Sequence, residues 1–248
     1  TPPPQNTLSL HDALPIWLRA VGAGDALDVR VPRTAMDNRT EAGLALDDYT
    51  VVRGDGAVFA PLSVTVPAGG VLGVLGENGT GKSTLLRGIA GLERKDAGRV
   101  LVGGKQVARR ARRRLVSLVM QDVNNQLFSD SVWNECMLSL GGREEGEAKE
   151  RAEATLASLD LLGARGVHPM ALSGGQKQRL AVACAPLSER RLILLDEPTS
   201  GLDLDHMKQV AKLVRDLSAK GATVVLVTHD REFLNRCCDS ALELTRAG

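Results

Sequence analysis

The chain has 248 residues, of which 43% are hydrophobic, and its formal net charge is +1. This length and composition suit one compact domain with a sizeable core, and the near-neutral charge gives no reason to expect nucleic acid or an anionic membrane surface as the main partner. A local run of five arginines within residues 109–114 is more typical of a solvated face or turn than of a binding patch. No window approaches the roughly 20 apolar residues that cross a bilayer, so we expect any membrane role to depend on a partner chain.

The first part of the chain shows no sustained hydrophobic period. Residues 1–16 hold four prolines among scattered polar residues, and residues 17–43 are rich in Gly, Ala, Asp and Arg. We therefore expect residues 1–43 to be a disordered or non-native N-terminal segment that ends in a linker.

From residue 44 onward, short apolar runs alternate with turns. Residues 44–52 and 62–66 are predicted to be antiparallel strands, and they lead into a buried central strand at residues 71–75. Directly after that strand comes GENGTGKST, residues 76–84, which fulfils the pattern G-x-x-x-x-G-K-[ST]. A helix is predicted to start at the end of this motif. The strand before it and the helix after it make a chance glycine-rich turn a poor alternative.

The residue types of this loop favour phosphate binding. Glycines let successive backbone N–H groups point inward, and the N-terminus of the following helix adds partial positive charge. Lys82 would reach the terminal phosphates of a nucleotide, and the Ser83 hydroxyl would ligate Mg²⁺. The residues expected to hold the nucleotide here are Gly76, Asn78, Gly79, Gly81, Lys82, Ser83 and Thr84.

A second acidic motif, RLILLDEPTSGLD, complements the loop. Four apolar residues, 192–195, precede Asp196 and Glu197, which predicts a buried parallel strand that ends in two carboxylates. At the carboxyl end of a strand, Asp196 can hold the Mg²⁺ shell and Glu197 can act as a general base on an attacking water. The alternative is an acidic turn after a strand, which would leave the glycine-rich loop without a metal partner.

Between these motifs lies LSGGQKQRL, residues 172–180, and here the chain resembles the ATP-binding cassette (ABC) family. Further positions match the motif order of that family: Gln121 as the Q-loop, Glu197 after the Walker B aspartate, Asp203 as the D-loop and His229 as the switch histidine. The resemblance covers residues 44–248. It implies an α/β fold, with a P-loop NTPase core, an antiparallel β subdomain and a helical lobe at about residues 122–172.

The resemblance also implies roles for these residues and a need for a second subunit. Gln121 would contact Mg²⁺ or the attacking water, and His229 would contact the γ-phosphate, although a lone histidine is more often structural. The start of a helix at the LSGGQ motif provides a second anion site, which in the family serves the nucleotide of a facing subunit. The residues implied for that contact are Ser173, Gly174, Gly175, Gln176 and Asp203. We therefore expect ATP and Mg²⁺ as cofactors and a dimer with itself or with a similar chain.

Two positions depart from the family pattern. Arg53 stands where the family usually stacks adenine on an aromatic side chain, and Tyr49 lies four residues earlier. An arginine plane can stack on a purine, and Tyr49 is either a substitute or a packing residue. Pro186 removes a backbone donor, so we expect it to end or kink the signature helix near Ala185.

The stretch QDVNNQLFSDSVWNEC, residues 121–136, is similar to the segment after the Q-loop in energy-coupling factor ATPases, which serve cobalt, nickel and vitamin importers. Two later segments, GLDLDHMKQVAKLV (residues 201–214) and NRCCDSALEL (residues 235–244), look like the second cassette of fused two-cassette members of that group. This resemblance implies a transmembrane coupling subunit and a membrane substrate-binding subunit as partners, no nucleic acid, and a peripheral position on the cytoplasmic face of the membrane. The alternatives are the ATPase of another ABC transporter class and a non-transport ABC protein.

In the lobe, four leucines at positions 156, 159, 161 and 162 predict the buried stripe of a surface helix.

Overall fold

The computed structural model describes residues 42–141 and 146–247. The prediction of disorder falls mainly on residues 1–41, which lie outside the described residues. Strand β1 (Ala42–Arg53) begins two residues before the start predicted from the change in pattern at residue 44.

An antiparallel sheet forms the first layer. Its strands are β1, β2 (Gly56–Ala57), β3 (Leu62–Pro67), β5 (Asp96–Val102) and β6 (Lys105–Gln106). Strand β1 is central, because it pairs with β2, β3 and β5. Leu44 and Leu46 of β1 and Val64 and Val66 of β3 belong to a core that this sheet shares with the next layer.

A parallel sheet forms the second layer and carries the motifs at its carboxyl edge. Its strands are β4 (Val71–Leu75), β7 (Val116–Val119), β8 (Leu192–Asp196), β9 (Thr223–Val227) and β10 (Ser240–Glu243). Their order is β10-β4-β9-β8-β7. Every residue of β8 and β9 is buried, as the continuous apolar run predicted for β8, and Asp196 at the end of β8 pairs with Val227 of β9. The predicted α/β fold with an antiparallel subdomain is confirmed.

Helix α1 (Lys82–Ile89) follows β4, and helix α2 (Arg109–Leu115) contacts the C-terminal end of α1. The prediction that the arginine run is a solvated face is wrong for Arg112, which is buried and ion-paired with Asp96. Three arginines of α2 donate hydrogen bonds to backbone carbonyls at or after the C-terminus of α1: Arg112 to Gly88 (2.8 Å), Arg113 to Gly91 (3.0 Å) and Arg109 to Glu93 (2.6 Å). Cations at this end of a helix interact favourably with its dipole.

The helical lobe contains α3 (Val132–Ser139) and α4 (Glu147–Ser158), which pack near α5 (Gly174–Leu187). The buried stripe of α4 consists of Ala148, Ala152 and Leu156, which recur every four residues. The predicted leucine stripe is thus only partly helical, because α4 ends at Ser158 and the chain turns at Asp160, whose φ is 52°. Leu159 and Leu161, on either side of Asp160, are buried, and Leu162 is 38% exposed.

The remaining helices flank the parallel sheet. Helix α5 continues to Leu187, so Pro186 lies in its last turn, slightly later than the predicted end near Ala185. Helices α6 (Leu204–Ala219) and α7 (Arg231–Cys237) follow β8 and β9. In the part of the chain that the structure describes, no helix combines the length and the apolar character that a membrane span requires.

Candidate active site

The glycine-rich loop connects β4 to α1 and adopts backbone angles that favour glycine. Gly76, Gly79 and Gly81 have φ values of 143°, 79° and 99°, and such left-handed angles are costly for residues with a Cβ. The Lys82 ammonium folds back over the loop and donates to the carbonyl oxygens of Gly76 (2.7 Å) and Glu77 (2.8 Å). Since a phosphate is a stronger acceptor than a neutral carbonyl, Lys82 can exchange these contacts for an anion.

Ser83 and Asp196 meet beside this loop. The Ser83 hydroxyl hydrogen-bonds the Asp196 carboxylate, which is 6% exposed. Burial raises the pKa of Asp196, and the charge of Glu197 raises it further, whereas the Ser83 bond, Arg87 and Lys82 oppose the shift. Within the described residues, the Oδ1 atom of Asp196 is buried without a hydrogen-bond partner.

This pair fits a Mg²⁺ ion. Mg²⁺ prefers oxygen ligands and is usually held by one or two carboxylates together with water and substrate phosphates. Asp196 offers an unused buried carboxylate oxygen, and Ser83 offers a hydroxyl. The described residues hold no cluster of three or more His, Cys, Asp or Glu side chains suited to a metal.

Glu197 and His229 form the second contact of the site. The Nδ1 atom of His229 lies 3.0 Å from Oε1 of Glu197. Glu197 is nearly buried and has a φ of 50°, an uncommon angle for a non-glycine residue that costs energy and clusters at functional sites. Its N–H donates to Val227 (2.9 Å), and Gln178 Nε2 donates to its carbonyl (3.2 Å). The side chain of His229 is 84% exposed, which leaves it free to change partner.

Gln121 lies just after β7, at the same edge of the sheet, and its side chain is exposed. The side chain of Gln126 pins the segment that follows, because it accepts from the N–H of Met120 (2.6 Å) and donates to the carbonyl of Leu118 (2.7 Å). This structural role of Gln126 is invisible in the sequence, where it reads as one more polar residue of a loop.

A buried carboxylate shapes the next part of that segment. Glu135 of α3 is 4% exposed, and its Oε2 accepts from the N–H groups of Phe128 (2.9 Å) and Ser129 (2.8 Å). The turn that these bonds stabilise leaves the Phe128 ring 77% exposed. Sequence reasoning missed Glu135, which looks like an ordinary acidic residue of a short surface helix.

The LSGGQ motif forms the N-terminus of α5. The Ser173 hydroxyl accepts from the N–H of Gln176 (3.3 Å), and the Gln176 side chain accepts from the N–H of Ser173 (3.0 Å), so the two residues form a capping box. Gly174 is exposed, and a Cβ added there would meet nothing within 4 Å. The helix start is therefore accessible, while Ser173 and Gln176 bond within their own helix.

Asp203 caps α6 and directly follows a segment that contacts this helix start. Its carboxylate accepts from the N–H of His206 (2.9 Å) and lies 2.8 Å from the His206 ring. A Cβ added at Gly175 would lie 3.3 Å from the carbonyl oxygen of Gly201. The signature motif and the D-loop segment thus share one surface.

Arg53 and Tyr49 take different positions. Tyr49 is 1% exposed within the core between the two sheets, where its hydroxyl donates to Asp96 (3.2 Å). It is therefore a packing residue. Arg53 is half exposed, and its guanidinium donates to Glu93 (2.8 Å), a residue that also accepts from Arg87 (2.9 Å).

Comparisons with known proteins identify the family of the chain. Residues 59–200 match the family model described as ABC transporter. The chain is 42% identical over 187 residues to the cobalt import ATP-binding protein CbiO of Rhodobacter capsulatus, covering 72% of this chain and 66% of that protein. It is 39% identical over 201 residues to a putative ABC transporter ATP-binding protein of Treponema denticola, covering 81% of this chain but only 40% of that protein.

A solved structure, cbiO1 from Clostridium perfringens, described as part of the ABC transporter complex cbiONQ, superposes with a TM-score of 0.71 at 28% identity. The match covers 83% of this chain and 85% of that one. The chain thus spans nearly all of this solved cassette, but it spans less than two thirds of the length of the curated relatives described above.

Proposed function

Because the chain belongs to the ABC transporter ATP-binding family, we propose that it hydrolyses MgATP to drive a membrane transporter. The observation that carries this proposal is the contact between Glu197 and His229 (3.0 Å) beside the Ser83 and Asp196 pair, at the edge where the glycine-rich loop begins. A phosphate cradle, oxygen ligands for a metal and a base thereby lie at one sheet edge, which is what phosphoryl transfer to water requires.

In this proposal, each group has one task. The loop N–H groups and Lys82 bind the phosphates. Ser83, Asp196 and Gln121 would hold Mg²⁺, which when bound would neutralise charge on the phosphate oxygens. Glu197 accepts a proton from water as the water oxygen attacks the γ-phosphorus, and the bond to the ADP oxygen breaks. His229 leaves Glu197 and donates to the γ-phosphate, so one contact is exchanged for another.

We propose that the exposed start of α5 completes the site of a facing subunit. An accessible helix N-terminus with open N–H groups attracts anions, and Gly174 leaves room for one. Asp203 and the signature motif lie on one surface and would face the partner together. The partner is a second copy of this chain or a similar cassette.

The lobe supports a transport role. Phe128 and Leu138 are 77% and 61% exposed, and large apolar side chains on a surface are typical of an interaction site. We propose that they contact a transmembrane coupling subunit that works with a membrane substrate-binding subunit, as in energy-coupling factor importers of metal ions or vitamins. The chain would then lie on the cytoplasmic face of the membrane.

The ATPase of another class of ABC transporter, with a different cargo, is a second candidate function. The relatives include the methionine import ATP-binding protein MetN of Caulobacter vibrioides, at 38% identity over 198 residues. An ABC transporter of another class therefore remains the alternative to an energy-coupling factor importer. Neighbouring genes for a coupling subunit and a small membrane binding subunit would favour the importer, and genes for a soluble binding protein would favour the alternative.

The variant Glu197→Gln tests the catalytic proposal. It preserves shape but removes the base, so we expect MgATP binding to persist, a nucleotide-bound dimer to accumulate, and turnover to fall by about 10²- to 10⁴-fold. Glu150→Gln makes the same change on an exposed residue of α4 and should leave turnover unchanged. Turnover within a few-fold of the wild type in Glu197→Gln would refute the assignment of the base.

A further inference from the structure

A second cation contacts the phosphate-binding loop, and it comes from outside every motif described above. Arg246 follows strand β10, and its Nε donates to the carbonyl oxygen of Gly79 (3.2 Å), 167 residues away in sequence. A Cβ added at Gly79 would lie 2.6 Å from Nη2 of Arg246. The guanidinium therefore lies directly against the loop.

Backbone contacts fix the position of Arg246. It forms an antiparallel bridge with Phe59, and the neighbouring Thr245 carbonyl accepts from the N–H of Ala60 (3.3 Å). Phe59 is itself fully buried and lies beside the loop, since a Cβ added at Gly81 would be 3.2 Å from its ring. The segment after β10 is thus attached to the connection between β2 and β3, beside the loop.

The contact made by Arg246 parallels the contacts made by Lys82. Lys82 donates to the carbonyls of Gly76 and Glu77, and Arg246 donates to the carbonyl of Gly79. Two cations therefore bond to different carbonyl oxygens of the same loop. The Arg246 bond is long and exposed, so it is weak. A phosphate oxygen is a better acceptor for a guanidinium than a neutral carbonyl, and the exchange costs little.

We propose that Arg246 is a nucleotide-binding residue that donates to a phosphate of the bound nucleotide as a second cation besides Lys82. This inference rests on the proposed function, because it assumes that the loop binds a nucleoside triphosphate. Arg53, which is ion-paired with Glu93, does not take this role. The geometry assigns to Arg246 a contact with phosphate rather than with the base, since its partner is the phosphate-binding loop itself.

The test measures dissociation constants of MgATP and of Mg²⁺ with inorganic triphosphate by calorimetry on the full chain. We expect Arg246→Gln to weaken both ligands by roughly five-fold, equivalent to about 1 kcal/mol for an exposed ionic contact. Arg246→Lys should recover part of the loss. Arg236→Gln removes the same charge from α7, where Arg236 is paired with Glu232, and should stay within two-fold of the wild type.

Three results would overturn the inference. The first is an affinity of Arg246→Gln within two-fold of the wild type. The second is a loss of affinity for MgATP but not for triphosphate, which would assign the contact to the base. The third is a loss of affinity accompanied by a lower unfolding temperature, which would indicate a structural role. Lys82→Ala separates this inference from the proposed function. If Lys82→Ala binds MgATP as tightly as the wild type, or if the wild type does not bind it, the proposed function fails. If Lys82→Ala loses MgATP while Arg246→Gln is unaffected, only the role of Arg246 fails.

Discussion

The variant Asp196→Asn is expected to stabilise the ligand-free protein while removing its response to Mg²⁺. Asp196 is 6% exposed, its Oδ1 is buried without a partner among the described residues, and the charge of the neighbouring Glu197 disfavours its ionised form. A buried unsatisfied acceptor costs about 1–3 kcal/mol. Asparagine has nearly the same shape but no charge, so it removes the excess cost of a buried charge over a buried neutral group and should raise the free energy of unfolding by about 1 kcal/mol.

Urea denaturation at neutral pH, followed by circular dichroism without nucleotide, measures this change. Asp205→Asn makes the same substitution on an exposed carboxylate of α6 and should have a far smaller effect. MgATP at 100 times its dissociation constant should stabilise the wild type by about 2.7 kcal/mol, and the part of this gain that depends on Mg²⁺ should be absent from Asp196→Asn. A ligand-free variant less stable than the wild type would refute the reasoning, because the carboxylate would then be well compensated without a metal.

Two further predictions concern the ion pairs around the C-terminus of α1. Arg112→Met leaves Asp96 without its buried partner. Thermal unfolding should therefore show that the free energy of unfolding falls by about 3 kcal/mol, and a decrease of less than about 1 kcal/mol would contradict this. Burial by itself raises the pKa of Glu93, but hydrogen bonds from Arg53 and Arg87 lower it below its ordinary value of 4.5. Its ionised form therefore stabilises the fold above that value, and this contribution is lost as the pH falls through the lowered pKa. Glu93→Gln should accordingly be less stable than the wild type at neutral pH, and the difference should shrink as the pH falls below 4.5. A difference that does not change with pH would exclude this role.

Much of the fold is predictable because its signals are local. The continuous apolar run before Asp196 indicates a buried parallel strand, and β8 is buried throughout. Ser173 with Gln176 three residues later is a capping-box pattern, and it starts α5. Where the pattern misled, the cause was also local. The leucines after α4 continue a helical spacing, but the chain turns at Asp160, so Leu159 and Leu161 are buried although they lie in a loop.

The buried arginine of α2 could not be predicted in the same way. A run of arginines carries no sign of which member will be buried, since that depends on an acceptor far along the chain. Arg112 is buried because Asp96 and the carbonyl of Gly88 face it. The aromatic residue Tyr49 shows the same dependence, since its hydroxyl uses Asp96, 47 residues away, and its ring fills the core.

By itself, the sequence determined the family, the position of the phosphate-binding loop, and the two acidic residues after a buried strand, because each depends on residues that are near one another in the chain. Only the tertiary structure decided which side chains from distant segments meet at the site. It joined His229 to Glu197, turned Arg53 towards Glu93 and laid Arg246 against Gly79. The physical reason is that strand and helix periods encode local backbone geometry, whereas such contacts arise from the order of the strands in the sheet and the packing of its two layers.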